Sequence, residues 1–105
     1  MRVILIAAAA SLAALGATAA VGEIVGQKDK QFSRDALTVK AGDKVTFVND
    51  DTVAHNITIK EPSGTNKLGT VQKPVDKSEV VFDKMGDHDI RCAIHPKMKM
   101  SVKVQ

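Results

Sequence analysis

"ALTVKAGDKVTFVNDDTVAHNITIK", residues 36–60, decides the fold. Side chains of a β-strand point alternately to opposite faces, so a half-buried strand is apolar at every second position. Leu37 and Val39 alternate with Thr38 and Lys40, and Ala41-Gly42-Asp43 then reads as a turn. Val45 and Phe47 share a face in the next run, which closes at the polar turn Asn49 to Thr52. A third run opens with His55, which shares its face with Ile57 and Ile59. Three short strands in quick succession indicate an all-β domain.

The same pattern extends outward. "GEIVGQ" (22–27) reads as a first strand, and "SEVVFDK" (78–84), "DHDIRC" (87–92) and "KMSVKVQ" (99–105) read as later ones, with Gly86 turning the chain. Residues 61–77 carry two prolines and two glycines and read as a long surface loop. No stretch after the leader has sustained helical periodicity. About seven strands in a chain of this size predict an antiparallel or mixed β-sandwich.

The first residues read as an export signal. Arg2 is followed by the uncharged run "VILIAAAASLAAL", and Ala17 and Ala19 make an A-x-A cleavage pattern. Cleavage after Ala19 leaves one small domain, residues 20–105, in an oxidising compartment. Small exported domains often supplement their cores with disulfides or a metal. The chain has a single cysteine, Cys92, and no internal disulfide is possible. A metal is the natural alternative. The formal charge of +3, one unit less once Arg2 leaves, is too mild to argue for nucleic acid. Phe32, Phe47 and Phe82 are the only aromatic residues apart from histidine, which removes base-stacking platforms.

"IRCAIHPKMKM", residues 90–100, carries the chemistry. His88, Ile90 and Cys92 share one strand face, and Met98, Met100, Val102 and Val104 share another. "AIHPK" between them is a tight loop stiffened by Pro96. Thiolate, imidazole and thioether thus converge at one end of the sandwich. Two histidines and a cysteine in a trigonal plane with a weak axial methionine form the blue-copper arrangement, and His55, which follows a turn and opens an inward-facing strand, can supply the second imidazole.

"CAIHPKM" resembles the Cys-x-x-His-Pro-x-Met ligand loop of the amicyanins, and "AGDKVTFVNDDTVAHNI" resembles the strand, turn and histidine that precede it in cupredoxins generally. The resemblance spans Gly22 to Gln105. It implies a cupredoxin-like Greek-key β-sandwich holding one type 1 copper ion, with His55, Cys92 and His95 as equatorial ligands and Met98 as the axial one. It also implies that Asn56 ties the two ligand loops together by hydrogen bonds. Plastocyanins and pseudoazurins have a longer loop, and Met100 occupies their methionine spacing. Pro96 and the full final strand left after Met98 favour the shorter loop. His88 stands where many such proteins have an aromatic residue. At roughly 13 Å along the strand from Cys92 it is too far to share the ion and reads as structural.

The function implied is a periplasmic carrier of single electrons, and a periplasmic protein for copper delivery or storage is the alternative. No Met-rich or His-rich tract supports the alternative. An enzyme is not expected, because so small a domain offers little substrate pocket and no further metal ligands. The expected partners are redox proteins, a dehydrogenase or a cytochrome, docking near His95. A monomer without nucleic acid or stable membrane association is expected. Ala93, Ile94, Pro96 and Met100 are candidates for an apolar collar around His95. Lys97, Lys99 and Lys103 share the outward parity and could steer an acidic partner, or serve simply as solvated charge on an edge strand.

Overall fold

The computed structural model describes residues 22–105, so the expected leader, residues 1–19, and the start of the domain at residue 20 lie outside the described residues. Nine strands follow in order: β1 Glu23–Lys28, β2 Gln31–Phe32, β3 Ala36–Val39, β4 Asp43–Asn49, β5 His55–Lys60, β6 Asn66–Gln72, β7 Lys77–Phe82, β8 Gly86–Arg91 and β9 Lys99–Val104. Among the described residues there is no helix. The strands form two sheets, ordered β2-β1-β4-β7 and β3-β9-β8-β5-β6. Parallel pairs β1·β4 and β3·β9 make both sheets mixed. The all-β sandwich expected from the alternation is therefore present.

The predicted inward faces are the buried ones. Leu37 and Val39, Val45 and Phe47, Ile57 and Ile59, and Met98, Met100, Val102 and Val104 all belong to one apolar cluster with Val25, Phe32, Phe82, Ile90 and Cys92. Phe32 meets Phe47 edge to face at 6.3 Å between ring centres. His88 is buried, and its ring stands edge-on to Phe82 at 5.1 Å. It therefore fills an aromatic position in the core.

Two expectations need correction. Residues 61–77 are not a single loop, because β6 lies within them and pairs antiparallel with β5. Of its seven residues only Gln72 is buried, so neither face is apolar and no alternation marks it. A main-chain ladder to β5 defines this strand, and a ladder leaves no signature in side-chain polarity. The two-residue β2, which together with β6 raises the count from about seven to nine, is likewise a short edge set by its hairpin with β1.

Candidate metal centre

The turn after β4 and the loop after β8 meet at one end of the sandwich, where β5 begins. His55 is the first residue of β5 and is fully buried. Cys92 follows the last residue of β8, Arg91, and is 1% exposed. His95 sits in the loop and is half-buried. A main-chain hydrogen bond from Met98 N–H to His95 carbonyl, 2.9 Å, closes that loop before β9 begins.

His55 Nδ1 lies 3.1 Å from His95 Nδ1, and Cys92 Sγ lies 3.8 and 3.7 Å from those two atoms. The point equidistant from all three is about 2.1 Å from each, close to the roughly 2.0–2.3 Å that zinc takes with imidazole and thiolate. One first-row metal ion fits this triangle. Sulfur with two imidazoles and a neighbouring thioether is a soft donor set suited to copper.

Both methionines are buried, Met98 at 1% and Met100 at 3% exposure. Their registers differ. Arg91 pairs with Lys99 and Ile90 with Met100. Continued by one residue, the ladder sets Met98 beside Cys92, while Met100 lies two residues deeper. Met100 is consequently absent from any surface collar, in contrast to that expectation. Ala93, Ile94 and Pro96 are exposed around His95 as expected. Val53 and Val75, which the alternation did not mark, add apolar surface at the same end. The Asn49 side chain donates to Val53 carbonyl, and Val75 N–H donates to Asn49 carbonyl.

The Asn56 side chain does not bridge the two ligand loops. Its amide donates to Gly69 carbonyl in β6, and its oxygen accepts from Thr58. The link to Cys92 is the main-chain N–H of Asn56, 3.4 Å from Sγ. Any residue except proline could supply that donor.

Asp51 is the residue that sequence reasoning missed. Its Oδ2 lies 2.9 Å from His55 Nε2 and 2.9 Å from the main-chain nitrogen of Lys30. Its Oδ1 accepts from Thr52 N–H at 2.8 Å. The Lys30 amide, then His55, then the Thr52 amide hold its carboxyl down at about 2, from an ordinary 3.8. The available signal was an acid four residues before a ligand-type histidine, but "NDDT" reads first as a turn.

Residues 19–105 match the model of a family described as copper binding proteins, plastocyanin/azurin family. The chain belongs to that family. Copper is accordingly its cofactor. Amicyanin-alpha of Methylorubrum extorquens is 33% identical over 119 residues, covering 95% of this chain and 98% of that protein. The methylamine utilization protein MauL of the same organism is 28% identical, covering 99% and 92%. The crystal structure of amicyanin from Paracoccus versutus superposes with a TM-score of 0.75 at 26% identity, covering 82% of this chain and 83% of that one.

Proposed function

We propose that the protein is a periplasmic type 1 copper protein carrying single electrons between redox partners, with Nδ1 of His55, Sγ of Cys92 and Nδ1 of His95 as equatorial ligand atoms and Met98 as the axial ligand. The observation that carries this reading is the convergence of three ligand atoms within 4.8 Å of one another at the end of the sandwich. The bound ion supplies the one-electron couple Cu(I)/Cu(II). The protein's part is to keep its donor atoms nearly still while the charge changes. Burial of His55 and Cys92 among packed strands favours that stillness. Burial also counts against a delivery protein, whose ligands must be reached by a recipient.

His95 is the only one of the three imidazole and thiolate ligands with solvent exposure, and the apolar residues Val53, Val75 and Ile94 are exposed at its end of the sandwich. A small apolar contact of this kind suits a transient redox encounter. Its partners would be a dehydrogenase or a cytochrome. The A-x-A leader and the amicyanin relatives support export to the periplasm.

Addition of copper(II) is expected to produce an intense thiolate-to-copper charge-transfer band in the visible, which a colourless preparation would refute. Reversible oxidation and reduction with the copper retained separates a carrier from a delivery protein. Release of copper on each reduction would favour delivery.

A further inference from the structure

We propose that Asp51, held by the main-chain N–H of Lys30 at the tip of the β1–β2 hairpin, is the positioning residue of the copper site, fixing the proton of His55 on Nε2 so that Nδ1 is presented as the ligand atom. This rests on the reading of His55 as a ligand. A neutral imidazole carries one proton, and the nitrogen that holds it cannot bind a metal. An ionised carboxylate only accepts hydrogen bonds. With Asp51 Oδ2 at 2.9 Å from Nε2, the proton must stand on Nε2. The Nδ1 lone pair is then bare and faces His95 Nδ1 and Cys92 Sγ.

The carboxylate needs its own support, and the chain provides it from three directions. Asn49, buried in β4, accepts the main-chain N–H of Asp51 at 2.9 Å and anchors its own amide on the carbonyls of Val53 and Gln72. Thr52 N–H takes Oδ1. Lys30 N–H takes the same Oδ2 that receives His55. That last donor comes from a distant part of the chain. Gln27 pairs with Phe32 and Lys28 with Gln31, which leaves Asp29 and Lys30 as a two-residue hairpin turn with φ of 53° and 57°. Positive φ at both central positions defines the type I′ turn, whose twist suits antiparallel strands. The turn aims the amide of Lys30 at the loop after β4, so a backbone feature on β1–β2 steadies a side chain on β5.

The His95 ring has no comparable anchor: its hydrogen-bond contacts among the described residues are the ones through Nδ1 to His55 and Cys92. One imidazole is therefore oriented by the fold and the other by its loop alone.

The test combines copper affinity, measured by competition with a chelator, with 15N spectra of the imidazoles in the copper(I) protein. In the native chain the His55 Nε2–H is expected as a slowly exchanging proton bonded to a carboxylate. Asp51→Asn, nearly the same size, puts an amide where two acceptor oxygens are needed. It should lower copper affinity 10- to 100-fold, the usual effect of losing a partner behind a ligating histidine, and expose the Nε2–H to exchange. Lys30→Gly retains the main-chain N–H and suits a positive φ, and should leave both readouts unchanged. Affinity within twofold of native in Asp51→Asn, with the protected proton retained, overturns the proposal. A loss in Lys30→Gly as large as that in Asp51→Asn overturns the assignment of the role to the turn's backbone. Native His55 resonances that do not respond to copper would instead refute the ligand reading itself.

Discussion

Replacing each buried methionine by leucine separates a ligand from a core residue. Met98 and Met100 are matched in burial, at 1% and 3% exposure, and in facing the same interior. Leucine nearly conserves the volume, so each change should cost at most about 1.5 kcal/mol, on the order of 10 °C in Tm for a domain of this size. The stability losses should be alike, while the effects on the metal should not. Ile90 lies opposite Met100, and two residues along a strand span about 6.6 Å, so a sulfur at 100 is a full side-chain pair deeper than one beside Cys92. Met98→Leu removes the thioether proposed as the axial ligand and should change both the copper(II) electron paramagnetic resonance spectrum and the reduction potential, which responds to the axial ligand. Met100→Leu should leave both near native values. Paired voltammetry and spectra at equal copper loading check this. A shift in Met100→Leu as large as that in Met98→Leu would refute the register argument and assign the longer loop spacing.

Three other outcomes are expected. Gly69 in β6 faces the irregular pairing between Asn56 and Thr58, where a Cβ would run into the main-chain oxygen of Ile57. Gly69→Ala should therefore destabilise by about 1–3 kcal/mol, and an unchanged urea midpoint would show that β6 shifts freely. Asp51 has a folded pKa of about 2 against 3.8, so its stabilising contribution is complete above about pH 4 and is lost as pH falls toward 2. Urea unfolding between those limits should show a shallower pH dependence in Asp51→Asn, and an identical slope would contradict the assigned hydrogen bonds. Lys97, Lys99 and Lys103 are exposed and make no ion pair among the described residues. Reversing their charge should slow oxidation of the copper(I) protein by ferricyanide and invert its dependence on ionic strength. Rates independent of salt in both proteins would show that these lysines do not steer.

The sandwich was legible because burial on one face writes itself into alternate residues. Val45, Phe47, Ile57, Ile59, Val102 and Val104 are where that rule puts them. His55, Cys92 and Met98 could be found by the same parity, since His55 opens an inward-facing row and the other two each continue one past the end of its strand. The spacing of Cys92, His95 and Met98 within one short loop then specified the donor chemistry.

Tertiary structure alone decided what depends on main-chain atoms or on distant segments. β6 has no apolar face, and only its pairing with β5 makes it a strand. Asn56 reaches Cys92 through an N–H common to nearly every residue type. That Met100 lies opposite Ile90, two residues deeper than Met98, came only from the register of β8 on β9. The hydrogen bonds that join Lys30 to Asp51 and Asp51 to His55 draw on three segments. Side-chain patterning records which face of a strand avoids water, whereas a hydrogen bond between segments depends on where folding brings a donor and an acceptor, and residue type alone does not encode that.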